Sequence, residues 1–313
     1  MPKSASSWGI AIACAAAASA AGCGVEVDVA VDEPIQVEGA TFKVGALAAP
    51  PATVSDAKLQ VTAVELATGI VGPGERRALA GRSGDSAHAL AVQLVDHGTG
   101  YWMLPVAGLD PQFPGERSWT AQLAMGQGVA AGLQKLRLAV LDGTGAAGPS
   151  RDVQICVPPP WPDNLNACDP TLEPPAAILA LEFDRPADVD VEVRRPNGTW
   201  VGGKGLGASG KATPEVYLDR DAGAGCHLDS RLREHLVWSQ PLASGTWGLH
   251  VRLHSACGEQ AVRWQLRLLS KQPGAAPKTW QLVELGKWQG QLLAGQADGG
   301  KGAALRVGEL QVD

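Results

Sequence analysis

Apolar and polar residues alternate with a period of two through most of this chain, the pattern of half-buried β-strands. Leu59, Val61 and Ala63 share one face of residues 57–66, and Trp119, Ala121, Leu123 and Met125 share another. Leu136, Leu138 and Val140 follow, and Val153, Ile155 and Val157 close this first series. After the proline-rich stretch VPPPWPDNLNACDPTLEPP (residues 157–175) the pattern restarts with the apolar run ILALEF (178–183). Val189, Val191 and Val193 then alternate with Asp190, Glu192 and Arg194. Leu249, Val251 and Leu253 alternate with His250, Arg252 and His254, and Val262, Trp264, Leu266 and Leu268 with Arg263, Gln265 and Arg267. These last two runs, joined by residues 255–260, are expected to pair as a hairpin. Residues 280–285 and 305–312 add further strands.

Turn chemistry separates the runs: Ala49-Pro50-Pro51, Gly72-Pro73-Gly74, Asp110-Pro111, Asp142-Gly143 and Pro196-Asn197-Gly198. Short strands spaced by such turns predict an all-β chain of two tandem β-sandwich domains. Residues 35–157 form the first sandwich, 158–175 a semi-rigid linker and 176–313 the second sandwich. Proline removes backbone donors, which excludes the linker as a central strand. Residues 74–86, with three arginines and Asp85, read as a solvated polar loop.

Composition adds the compartment. The chain has 313 residues and a net charge of −6, with no concentrated basic patch, so nucleic acid is not an expected partner. Lys3 precedes the Ala-rich apolar stretch 8–21, which ends in small residues, the layout of an export signal. Ala20-Ala21-Gly22-Cys23 resembles a bacterial lipobox, with Ala20 where Leu is usual. The resemblance implies residues 1–22 as signal peptide, lipidation of Cys23 and a tether over 23–34 that holds the protein to a membrane by its lipid. Gly24 after the cysteine implies the outer membrane. An ordinary secretory peptide cleaved after Ala21 or Gly22 is the alternative. Of six cysteines, Cys14 leaves with the signal and Cys23 carries lipid. Cys156, Cys168, Cys226 and Cys257 remain for disulfides in an oxidising compartment. Three pairings are open, and the local one, Cys156 with Cys168 and Cys226 with Cys257, is favoured because it keeps each bridge within one region. Zinc is disfavoured, since no Cys-x-x-Cys exists.

The segment LRLAVLDGTGAAGPSRDVQICV (136–157) resembles the last two strands of a bacterial immunoglobulin-like domain. Residues 176–313 resemble exported YfaP-like β-sandwich (jelly-roll) modules. The matching residues are Leu181-Glu182-Phe183-Asp184, 187–193, Pro196-Asn197-Gly198, Leu218-Asp219-Arg220-Asp221, Gly225-Cys226, Glu234, Val237-Trp238, Gly245-Thr246-Trp247 and Cys257-Gly258. The resemblance implies a fold and is nearly silent on activity.

Candidate chemistry concentrates in the second half. Asp184, Asp188 and Asp190 surround one strand start, and Asp219, Asp221, Asp229 and Glu234 surround the Cys226 loop. Calcium takes six to eight oxygen ligands, so Asp188, Asp190, Asp219 and Asp221 form the candidate metal set; no cofactor is assigned, and calcium is the one candidate. Asp219-x-Asp221 opens like a calcium loop, but Gly223 stands where a third side-chain ligand would be. His250 and His254 lie about 13 Å apart on a strand, too far for one ion, and read as a solvated face. Residues 198–204 and 205–211 mimic phosphate loops without the following Ser or Thr. No Gly-x-Ser-x-Gly elbow appears, and no catalytic residue is assigned. Trp200, Trp238, Trp247 and Trp264 are candidates for sugar stacking, with at most two of them expected to be exposed. The expected role is that of a non-catalytic cell-envelope lipoprotein, a surface interaction or structural module. Calcium-dependent or carbohydrate binding is the alternative and an envelope hydrolase a third. Expected partners are the membrane, through the lipid, and an envelope protein or polysaccharide.

Overall fold

The computed structural model describes residues 33–50, 58–202, 215–227 and 232–312 and is all-β. The signal, Cys23 and most of the tether, the phosphate-loop mimics beyond Gly202 and Asp229 lie outside the described residues. No described helix is long and apolar enough to cross a membrane.

The first series comprises β1 (Ile35–Val37), β2 (Thr41–Val44), β3 (Val61–Leu66), β4 (Arg76–Gly84), β5 (Ala89–Leu94), β6 (Gly100–Pro105), β7 (Glu116–Met125), β8 (Gly132–Leu141) and β9 (Arg151–Val157). They form two antiparallel sheets, β1-β7-β4-β3 and β2-β6-β5-β8-β9. Inward residues of both sheets share one core: Ile35, Leu79, Trp119 and Leu123 from the first, Leu90, Val92, Leu136, Leu138 and Ile155 from the second. This is the sandwich solution to period-two strands, each burying one face.

Residues 76–84 correct the polar-loop expectation, because they form β4, in the middle of its sheet. Its inward positions are Leu79, Gly81 and Ser83, and the last two are small and send almost no hydrophobic signal. Gly81 has a reason of its own: a Cβ there would lie 2.3 Å from the Trp119 ring. The large buried indole needs the glycine opposite it.

The second series comprises β10 (Ala177–Phe183), β11 (Asp188–Arg194), β12 (Trp200–Gly202), β13 (Val216–Leu218), β14 (Arg233–Trp238), β15 (Gly245–Ser255), β16 (Ala261–Pro273), β17 (Trp280–Leu293) and β18 (Leu305–Val312). The sheets run β13-β14-β10-β16-β17 and β12-β11-β15-β18. Leu179, Leu181, Leu236, Trp264 and Leu266 of one face Val189, Val191, Val193, Leu249 and Val251 of the other. The expected β15–β16 hairpin does not form. β15 pairs with β11 and β18, whereas β16 pairs with β10 and β17. Alternation shows that each strand buries one face but not which neighbour it takes. Residues 256–260 are long enough to cross the roughly 10 Å between packed sheets.

Residues 158–175, expected as a semi-rigid linker, are bonded at both ends. Cys156 and Cys168 are bonded at an S–S distance of 2.01 Å, which ties the segment to β9. At its other end Asn166 donates to the Trp280 carbonyl at 3.0 Å, and Trp280 N–H donates to Pro170 O at 2.8 Å. Buried Asp163 accepts N–H bonds from Leu165 and Ala167. Trp161 packs on Ile178, Ala180, Val237 and Leu269, outside the second core. The segment is a clasp bonded to both strand series.

Candidate metal centre

β11 begins with Asp188, whose neighbour Ala187 is fully buried, and a β-bulge between Asp188 and Val189 shifts its pairing with β15. Alternation then points Val189, Val191 and Val193 into the core and Asp188, Asp190 and Glu192 to the opposite face. The loop after β13 returns over this strand start and brings Asp221 to it. Ligand oxygens of Asp188, Asp190 and Asp221 all lie within 4.8 Å of one another. Calcium binds oxygen at about 2.4 Å, so oxygens on one ion can stand up to about 4.8 Å apart. The three carboxylates therefore fit around one cation of that size.

Backbone geometry explains the loop's approach. Gly223 has φ of 76°, and a Cβ there would sit 2.3 Å from the Ala187 carbonyl oxygen. Only glycine permits both the left-handed turn and the close contact. Gly223, the residue that spoils a linear calcium loop, is thus what lays Asp221 on β11. Gly225 N–H donates to Asp188 at 2.9 Å. The Cys226–Cys257 disulfide, at 2.06 Å, ties the loop to the crossing after β15, and Cys226 Sγ lies 3.3 Å from Ser255 Oγ.

Glu234 supports the arrangement from below. It is 0% exposed and accepts N–H bonds from Val191 at 3.2 Å and Ala222 at 3.0 Å. One carboxylate thereby joins β14, β11 and the loop that carries Asp221. Asp219 stands apart from the cluster. Its two oxygens take the His235 N–H at 3.0 Å and the His235 Nδ1 at 2.6 Å, so its carboxylate is used locally. Asp184 accepts the Arg263 N–H at 2.8 Å. Of the residues picked from the sequence for the metal, Asp188, Asp190 and Asp221 converge and Asp219 does not.

Crowding leaves an electrostatic strain. Burial, reinforced by Asp188, Asp221 and Glu192 and opposed by His254, pushes the Asp190 carboxyl up to about 7. Burial and Asp188 raise Asp221, again against His254. Burial raises Glu234 well above the carboxylate range, with Asp190 and Asp221 adding and the Val191 and Ala222 N–H groups opposing. Arg252, opposite Asp190 in the ladder, donates to Glu192 at 2.9 Å and Asp298 at 3.1 Å.

The two histidines are not a solvated face. His254 Nδ1 lies 3.1 Å from Asp188, and His250 is 7% exposed against the Trp200 ring, with centroids 4.6 Å apart. Neighbouring strands and a tryptophan cover positions that periodicity alone places outside. Of the four tryptophans, Trp238 and Trp247 meet edge-to-face in the core at 6.1 Å and Trp264 is buried, while Trp200 is exposed.

No family model and no curated protein matches this sequence. Solved structures give distant similarity only. The MSCRAMM ACE of Enterococcus faecalis is 8% identical over 74% of this chain and 93% of its own, with a TM-score of 0.18. The C-terminal domain of the Streptococcus agalactiae AgI/II polypeptide BspA is 11% identical over 79% and 98%, with a TM-score of 0.23. The collagen adhesin CNA of S. aureus is 7% identical over 75% and 95%, with a TM-score of 0.19. The sandwich assignment stands on the strand pairing of this chain itself.

Proposed function

We propose that this chain is a non-catalytic interaction module of the cell envelope, and that its second sandwich is completed by one calcium ion held by Asp188, Asp190 and Asp221. The observation that carries the metal reading is the convergence of three carboxylate oxygens within 4.8 Å of one another. They come from a strand and from a loop that a glycine and a disulfide hold against it. A dication there offsets the crowded negative charge and locks the loop to β11, which makes calcium a structural ligand of the second sandwich. Two disulfides, the export signal and Cys23 at a lipobox support an envelope location with lipid anchoring. The test is thermal denaturation in a calcium series against a chelator. Saturable stabilisation by calcium, absent in Asp188→Asn and Asp190→Asn, supports the reading. Melting temperatures that ignore calcium refute it.

A further inference from the structure

The outer face of β12-β11-β15-β18 carries a second constellation at the opposite end of β11 from the carboxylates. Trp200 is 43% exposed, the most exposed tryptophan among the described residues. Strand pairing sets it in a row with Arg194, Gly248 and Glu309. The next row holds Glu192, His250 and Arg306. Gly248 leaves a gap in the first row, and the His250 ring fills its edge: a Cβ at Gly248 would lie 2.9 Å from His250 Cε1. The Trp200 ring meets that imidazole edge-on at 61°, which fixes the indole beside the gap. The result is a groove of about 350 Å³ with a glycine floor and an aromatic wall.

Its charge is positive in a chain whose net charge is −6. Arg195 pairs with Glu215, and Arg306 with Glu309. Arg194 has no carboxylate partner among the described residues, so the groove holds one uncompensated guanidinium. His250 Nδ1 is buried and makes no hydrogen bond of good geometry among the described residues. Burial, helped by Arg306 and Arg194, lowers its basicity against the opposing influence of the Gly248 backbone and Glu192.

We infer that this groove binds a carboxylated saccharide, with the apolar face of a sugar ring on Trp200 and its carboxylate on Arg194. An exposed indole offers a flat apolar surface, and a guanidinium matches a carboxylate with two parallel N–H bonds. An acidic peptide could meet the arginine but would leave the fixed aromatic wall without its flat partner. The site is separate from the metal centre: Asp190 and Arg194 are four residues apart on one strand, about 13 Å.

The test is calorimetric titration of the full chain with oligogalacturonate in chelator, so that the metal plays no part. Its methyl ester and poly-L-glutamate serve as comparison ligands. Oligogalacturonate should bind, and Trp200→Ala, Arg194→Gln or esterification of the sugar should each weaken binding by about tenfold or more, the size of a lost charged hydrogen bond or stacking contact. Trp200→Phe should retain most of the affinity. Absence of binding, equal binding by Trp200→Ala, or poly-L-glutamate binding as tightly as the saccharide would each overturn the inference.

Discussion

Replacing Asp190 by asparagine removes the charge at the centre of the acidic cluster and keeps the shape of the side chain. Asp190 ionises at about 7 in the folded chain against an ordinary 3.8, so the folded state holds a proton that the unfolded state gives up. An acid whose folded pKa is raised stabilises least once it is ionised. Its contribution is intact below about pH 4 and is lost as pH climbs to about 7. A shift of about three units corresponds to about 4 kcal/mol, and partial exposure of the side chain trims this to about 2–4 kcal/mol. In chelator, the wild-type chain should therefore lose more stability between pH 5 and pH 8 than Asp190→Asn does. The variant should melt several degrees higher at pH 8, at about 2–4 °C per kcal/mol for a domain of this size. Calcium at 100 times its dissociation constant should close most of that gap, since it adds about 2.7 kcal/mol to the wild type alone. Urea unfolding at both pH values, with and without calcium, measures all four differences. Identical pH dependence of the two proteins in chelator would refute the electrostatic reasoning, because the cluster would then not strain the folded state.

The loop's supports give further expectations. Gly223→Ala should destabilise the second sandwich by more than about 1 kcal/mol and abolish the calcium response, since its Cβ would meet the Ala187 carbonyl at 2.3 Å in a left-handed turn; denaturation with and without calcium reads both. Cys226→Ser with Cys257→Ser opens a bridge across 31 positions, which is expected to cost about 3–4 kcal/mol and to weaken calcium affinity while oligogalacturonate binding persists. Cys156→Ser with Cys168→Ser should cost about 3 kcal/mol and make residues 158–175 the first site of limited proteolysis, because the bridge holds the clasp to β9.

The strands and their buried faces were legible because large apolar residues carry the period-two signal, as in β8, β11 and β16. β4 was missed where glycine and serine occupy the inward positions beside Trp119. The β15–β16 hairpin was misread because alternation does not say which sheet a strand joins. At the candidate site, the acidic residues stood out by composition, but their grouping did not follow the sequence. Asp219 and Asp221, two residues apart, separate because His235 captures the first, while Asp188 and Asp190 join Asp221 across a loop that Gly223 allows to turn. The role of Glu234, joining three segments through two backbone N–H groups, depends on contacts 12 and 43 residues away and leaves no local mark. His250 was placed outside by periodicity and is buried by Trp200, a cover that only the folded sheet supplies.

Calorimetric titration of the metal-stripped chain with calcium addresses the central claim most directly. One site per chain, with a dissociation constant in the range of about 10⁻⁴–10⁻³ M of extracellular modules, and its loss in Asp188→Asn, Asp190→Asn and Asp221→Asn but not in Asp219→Asn, is the result the geometry requires. Absence of calcium binding, or binding that survives the loss of Asp190, would contradict it.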